Sequence, residues 1–165
     1  MLRLRHVARL RRKEVKDLRE ALVAAFGTDP FQEEDALESA EVGEGLTALV
    51  FEGQICGLQV RGAATLTVRG LLRWPATKRW VTVDMGAVPF VYNGADVMAP
   101  GIMDADRSIA VGELVWVRDE KNLRPLAVGE AVMTGEQMAV SEKGKSIQSV
   151  HHVGDELWKY GTEEA

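Results

Sequence analysis

The sequence predicts an α+β protein in two units: a small mixed α/β unit over residues 1–77 and a barrel-like, nearly all-strand unit over 78–160. Three observations predict it. From Lys13, apolar residues recur at three-and-four spacing, the mark of one amphipathic helix. After residue 46 the pattern changes to short runs of Val, Ile, Leu, Phe and Thr cut by glycine pairs, a strand meander. Past Pro75, Ala76 and Thr77 the strand pattern continues with a single tiny helix, which suits a closed or half-closed barrel.

Each element has its own signal. Leu2 and Leu4 alternate with Arg3 and Arg5, suggesting a short strand. Val15, Leu18, Leu22, Ala25 and Phe26 form one helical face, and Gly27 followed by Thr28-Asp29-Pro30 ends that helix as a left-handed cap. Phe31 to Ala40 reads as a second, acidic helix. "TALVFEGQICGLQVRGAATLTVRG" supplies the meander, with Cys56 buried in mid-strand, and "VRGLLRW" one closing helical turn. In the second unit "WVTVD" is a strand and "GAVPFVY" a two-turn helix. Pro89 is tolerated there only near the start, where backbone donors have no partner anyway. Asn93-Gly94 stops that helix, "DVMA" is a brief strand, and Pro100-Gly101 turns it. "GELVWVRD" and "PLAVGEAVM" follow as paired strands around a polar turn, and "KGKSIQSVHHVGDELW" is the last strand.

Composition narrows the function classes. With 165 residues, 46% hydrophobic and four Trp, the chain can bury a core and is not disordered. No apolar run reaches the length of a membrane span. MLRLRHVARL lacks the continuous apolar stretch of a signal peptide, so a cytoplasmic location is expected. The lone Cys56 excludes an internal disulfide and a cysteine-rich zinc site.

Net charge is −5, but it is unevenly spread. Residues 1–20 hold eight Lys or Arg against three acids, among them Arg3, Arg5, Arg9, Arg11, Arg12 and Lys13. A second basic group, Arg61, Arg69, Arg73, Lys78 and Arg79, contains no acid between its ends, whereas the chain from Trp80 onward holds seven bases and fourteen acids. The commoner meaning of such a run is a solvated helix face. The sharper one is a phosphate-facing strip on an otherwise acidic protein.

The ordered set "D-x-G-A", short apolar helix, "G-A-D-V-M-x-P-G-I", "V-G-E-x-V-W-V" and "A-V-G-E-A", from Asp84 to Ala131, with Gly144-Lys145 beyond it, resembles the PUA domain. With the leader "TVRGLLRWP" and the basic N-terminal segment, the whole chain is similar to stand-alone archaeal PUA proteins. These are related to the eukaryotic malignant-T-cell-amplified-sequence translation factor. The resemblance implies a pre-PUA α/β domain ahead of a PUA pseudo-barrel, RNA binding without catalysis, and no cofactor. It implies a role in the translation apparatus, with tRNA or the small ribosomal subunit as partner and a second factor carrying an initiation-factor-like domain as a further partner. The other reading it leaves open is an adaptor that presents tRNA or rRNA to a separate modification enzyme.

The resemblance puts the RNA surface on Gly94, Ala95, Asp96, Val97, Met98, Pro100, Gly101 and Ile102, and on the final strand around His151 and His152. The side-chain-free Gly94 and Gly101 would let backbone amides approach a phosphate or ribose. Asp96, Asp104 and Asp106 crowd this loop, and their charge would repel a duplex backbone, so the basic strip is expected to supply affinity. His151 and His152 are adjacent on a strand and point to opposite faces, so they cannot share a metal; one belongs in the core, and the outer one could stack on a base. Trp74, Trp80, Trp116 and Trp158 read as core, with Trp80 and Trp158 near the barrel's chain ends. Asp84, at a strand-to-helix junction, reads as a cap rather than a catalytic acid. No HExxH, GxSxG or P-loop motif occurs.

Overall fold

A computed structural model describes residues 2–162. The chain divides into two compact units, one running to Thr77 and resumed from Glu156, the other Lys78–Asp155.

The first unit is a five-stranded antiparallel sheet. Its strands are β1 (Arg5–Arg9), β2 (Leu37–Gly43), β3 (Leu46–Phe51), β4 (Gln54–Val60) and β5 (Ala63–Leu66), side by side in chain order. Helix α1 (Arg12–Phe26) buries Val15, Leu18, Leu22 and Phe26, the face that the periodicity marks, and stops at Gly27, whose φ of 59° and N–H to the Val23 carbonyl make the left-handed cap. Helix α2 (Val68–Arg73) lies so close to β4 that a Cβ on Gly70 would collide with the Cys56 carbonyl. Thr67 makes this docking possible. Its hydroxyl accepts from the Gly70 N–H and donates to the Ile55 carbonyl at 2.8 Å, so it caps the helix and ties it to the sheet at once.

Two sequence expectations change here. Strand pairing at the N-terminus begins at Arg5, opposite Glu41, rather than at Leu2. The acidic helix expected over Phe31 to Ala40 is a turn followed by β2. Asp35 accepts the Gln32 N–H at 2.7 Å, which closes the turn, and Leu37 and Ala40 are buried against β3 in strand register.

The second unit is a six-stranded, nearly closed barrel-like sheet ordered β7-β11-β10-β9-β6-β8. Its strands are β6 (Trp80–Val83), β7 (Val97–Met98), β8 (Ile102–Ala105), β9 (Leu114–Asp119), β10 (Pro125–Ala131) and β11 (Lys145–His152). β6 runs parallel to β9 and antiparallel to β8, so the first strand of the unit is brought between elements distant in sequence. Helix α3 (Val88–Tyr92) has Pro89 in its first turn, and α4 (Gly135–Val140) packs near β8. The core is built mainly of Val, Ala and Ile from these strands, with Met138 contributed by α4. The short helix α5 (Glu156–Lys159) belongs with the first unit, where the Arg69 guanidinium lies 3.9 Å from the centre of the Trp158 ring. Trp80, by contrast, is in the second unit, under the Arg118 guanidinium.

Candidate RNA-facing surface of the barrel

The loop from α3 to β8 is held by its own short-range bonds. Asp84 Oδ1 accepts the Ala87 N–H at 2.8 Å, and the Asp84 N–H donates to the Gly101 carbonyl at 2.9 Å. Asp84 therefore caps the turn into α3 and pins it to the Ala99–Gly101 turn. Gly94 carries φ 84°, a conformation that favours glycine, and closes α3. The chain then enters β7, which pairs with β11 at Lys145 and Ile147, and the Ala99 N–H reaches the Gly144 carbonyl. This brings the loop and the final strand together.

Inside the loop, Val97 and Ala99 point into the core, whereas Ala95, Met98 and Pro100 are exposed. Gly101 and Ile102 are half-buried. The side-chain-free sites serve internal packing. A Cβ on Gly94 would lie 2.9 Å from His152 Nε2, and one on Gly101 would lie 3.0 Å from the Ala87 Cβ.

The carboxylates beside the loop are engaged rather than bare. Asp96 accepts the Ser149 N–H at 2.8 Å and faces Lys145 Nζ at 3.1 Å. The Ser149 bond first, and Lys145 after it, hold its carboxyl below the usual range. Asp104 is held low by its bond to Arg107 and by the Ala105 N–H. Asp106, although burial works against its charge, is lowered by the N–H groups of Arg79 and Ser108. The repulsion that composition suggests is thus spent largely on internal bonds.

Between α3 and the loop opens a cleft of about 290 Å³ lined by Asp84, Phe90, Val91, Val97, Met98 and Pro100, among others. Val91 and Val97 are buried, whereas Phe90 is 66% and Met98 49% exposed. Phe90 was not singled out by the sequence reading. Its signal was present: "VPFVY" is apolar all round, and a helix lying on a barrel can bury only one side. A larger groove of about 710 Å³ lies in the first unit, but Glu14, Asp17 and Glu41 line it, an unsuitable surface for phosphate.

His151 is fully buried, with Nδ1 2.8 Å from Asp155 Oδ2, so it is placed in the core and cannot meet a ligand from solvent. His152 is half-buried, and its ring lies beside Gly94.

Of the basic residues, Arg79 is committed internally: its guanidinium binds Glu113 at 2.7 Å, and its N–H binds Asp106. Lys78 is exposed, and its carbonyl accepts the Trp116 indole N–H at 2.9 Å. In the first unit Arg11 pairs with Glu14 and Arg12 with Glu33, at 3.1 and 2.8 Å. The exposed side chains of Arg3, Arg5, Arg9 and Lys13 have no ion-pair partner among the described residues. Among the described residues no group of three or more His, Cys, Asp or Glu could hold a metal ion, and no helix is long and apolar enough to cross a membrane.

Comparison with known proteins bears on the family and the fold. The PUA domain family matches residues 79–153. Over the whole chain the fold matches the crystal structure of a hypothetical protein from Pyrococcus horikoshii, 34% identical with a TM-score of 0.81, covering 93% of this chain and 98% of that one. The chain belongs to the PUA-domain proteins. A conserved PUA domain protein from Thermoplasma acidophilum is 31% identical with a TM-score of 0.78, covering 93% and 97% of the two chains. Among curated proteins, the chain is similar to the translation machinery-associated protein 20 of Saccharomyces cerevisiae, 35% identical over 55% of this chain and 54% of the yeast protein. It is also similar to the human malignant T-cell-amplified sequence 2, 28% identical over 93% and 90% of the two chains. The chain spans about half the length of the curated relatives with the higher identities. The match of this PUA protein extends over nearly the full length of both archaeal structures.

Proposed function

We propose that this PUA protein binds structured RNA of the translation apparatus, tRNA or the small ribosomal subunit, and acts by binding rather than catalysis. The observation that carries the reading is the open cleft at the α3-to-β8 loop. There an internally bonded turn presents an exposed aromatic ring and backbone next to Asp96, whose carboxylate is already paired with Lys145. Such a surface suits an unpaired RNA end or loop, whose bases can leave the stack and meet an aromatic side chain. The exposed, unpaired cations of the N-terminal segment supply a second, sequence-independent attraction for phosphate. The translation role rests on similarity to proteins named for the translation machinery.

The test is direct. Filter binding with total tRNA and co-sedimentation with small ribosomal subunits, each at two salt concentrations, should show saturable binding that weakens with salt. Absence of binding to either at low salt would overturn the reading.

A further inference from the structure

We propose that the groove between α1 and the open face of the first unit's sheet is a docking site for another protein, which presents to it a short segment bearing lysine or arginine. The site lies in the first unit and does not depend on RNA binding.

Strand register builds its floor. Glu41 of β2 stands opposite Thr47 of β3, Thr47 opposite Gln59 of β4, and Gln59 opposite Ala64 of β5. Directly opposed residues project to one face, so these four form a rank across the sheet, about 14 Å long at the usual strand spacing. Two residues along each strand, the next rank is Ser39, Leu49, Gly57 and Leu66. There Leu49 and Leu66 are buried. The first rank stays open: Thr47, Gln59 and Ala64 are half-buried, and Glu41 is exposed. It meets Glu14, Asp17, Leu18 and Ala21 of α1 in a groove of about 710 Å³.

The charge of the groove selects the partner. Carboxylates stand on both sides of it, Glu14 and Asp17 on the helix and Glu41 on the sheet. Asp17 has no ion-pair partner among the described residues. Glu14 is paired with Arg11 and Glu41 with His6, both in exposed pairs that a better-placed cation displaces at little cost. Such a field repels phosphate and attracts cations. Between the acids lie Leu10, Ala21 and Ala63. Lysine and arginine lay their aliphatic stems on apolar surface of this kind and keep the charged head beside water and carboxylate.

The neutral polar groups point to a peptide rather than a small polycation. The side chains of Ser39, Thr47 and Gln59 make no hydrogen bond among the described residues. Hydroxyl and amide groups both donate and accept. A peptide brings carbonyls and N–H groups to match them, whereas a polyamine brings donors alone. From Glu14 to Ala21 the helical wall runs about 10 Å, the length of about three extended residues.

The experiment follows backbone amide shifts of the isotope-labelled full chain by NMR. The probes are a nonapeptide of three Lys-Ala-Ala repeats, the same peptide with its lysines acetylated, and spermidine. The unmodified peptide should give saturable shifts concentrated in α1 from Glu14 to Ala21 and at Ser39, Thr47 and Gln59. Acetylation should weaken it at least about fivefold, the most that one exposed ion pair contributes. Asp17→Lys with Glu41→Lys should weaken it about tenfold or more, whereas Glu136→Lys with Glu142→Lys, an equal change of charge on the second unit, should stay within about twofold. Asp17→Asn with Glu41→Gln repeats the test with little change of shape if the lysine pair lowers the melting temperature. Thr47→Val with Gln59→Ala should weaken the peptide and leave spermidine unchanged.

Equal losses in the groove and control pairs, or shifts spread over the acids of both units, reduce the attraction to net charge and overturn the site. Spermidine matching the peptide in affinity and in shifts, with Thr47→Val and Gln59→Ala silent, overturns the protein partner in favour of a small polycation. Groove shifts caused by tRNA while the peptide fails to bind overturn it in favour of RNA. Groove shifts that grow with concentration of the free chain overturn it in favour of a second copy. No saturable shift from the unmodified peptide overturns it outright.

Discussion

Gly94 lies against the imidazole of His152, close enough that a Cβ at position 94 would come within 2.9 Å of Nε2. This contact joins the end of α3 to the end of β11, the two segments that frame the candidate surface. The glycine is required twice, by its φ of 84° and by the ring beside it. Gly94→Ala should therefore destabilise the PUA unit by about 1–3 kcal/mol, the usual range for a non-glycine residue forced into the left-handed region. A thermal melt reads this, and an unchanged melting temperature would mean that the turn relaxes freely.

The loop's other small residues separate. Gly101 packs against Ala87, so Gly101→Arg should lower the melting temperature along with RNA affinity. Ala95 is exposed, and Ala95→Glu should weaken RNA binding while changing stability by less than about 0.5 kcal/mol, as surface substitutions usually do. The two are distinguished by measuring binding and melting on the same preparations. Parallel losses in both variants would make the whole loop structural.

Much of the fold can be read from residues alone, and the exceptions have physical causes. The helix face from Val15 to Phe26 and its Gly27 cap depend on spacing and on one residue's φ, both local. The segment from Phe31 to Ala40 misleads because acidic residues suit a helix surface, whereas the deciding bond from Asp35 to the Gln32 N–H and the pairing of β2 with β3 are tertiary. β8 hides because "IMDA" gains strand character only from pairing with β6. α4 could have been found: Thr134 and Gln137 form a capping box, each side chain bonded to the other's backbone N–H. At the candidate surface, the glycine and proline pattern marks the loop that adjoins the cleft. What the pattern does not disclose is that His152, Ala87 and Lys145 fill its space and neutralise its charge. Phe90 needed the barrel in place before its exposure was evident.

The Asp96 bonds make part of the PUA unit's stability dependent on pH. Its carboxyl is held below the ordinary value of 3.8 by the Ser149 N–H and by Lys145. A lowered folded value means that the unfolded chain binds the proton more readily. The contribution is therefore complete above pH 3.8 and is lost as pH falls through the folded value. Asp96→Asn can still accept from Ser149 but carries no charge. Its melting temperature should fall less steeply than the wild type's between pH 4.5 and pH 2.5, two settings of the experiment around that value. Superimposable curves would show that the charge on Asp96 contributes nothing to folding.

In the first unit, α5 is an anchor rather than a tail. The Arg69 guanidinium covers the Trp158 ring, and its Nε donates to the Trp158 carbonyl at 2.7 Å. Further along, Gly161 passes so close to the Gly53 carbonyl that a Cβ would collide with it. Trp158→Ala should destabilise this unit by about 1–2 kcal/mol, the cation–π contact plus lost packing. Hydrogen exchange should rise in β4 and α2. Unchanged protection there would show that the contact is incidental.

The last prediction concerns which cations attract RNA. Composition treats residues 1–20 as one basic strip, but the structure divides it. Arg11 and Arg12 stand beside Glu14 and Glu33, and each pair presents almost no net charge to a distant phosphate. Exposed pairs of this kind hold together weakly, so pairing does not forbid contact, but a phosphate must displace a carboxylate to gain it. Arg3, Arg5, Arg9 and Lys13 have no such competitor among the described residues. Each phosphate neutralised releases counterions and adds about −0.7 to the slope of log affinity against log salt for a single strand. Replacing Arg3, Arg5, Arg9 and Lys13 with Ala should therefore flatten the slope for tRNA by as much as about 0.7 for each side chain in contact. Arg11→Ala with Arg12→Ala should change it much less. If the first set leaves affinity and slope untouched, the segment is a solvated face, and the attraction for RNA comes from the PUA unit alone. If the second set has the larger effect, the ion pairs open on binding, and the paired arginines are the ones that meet the phosphates.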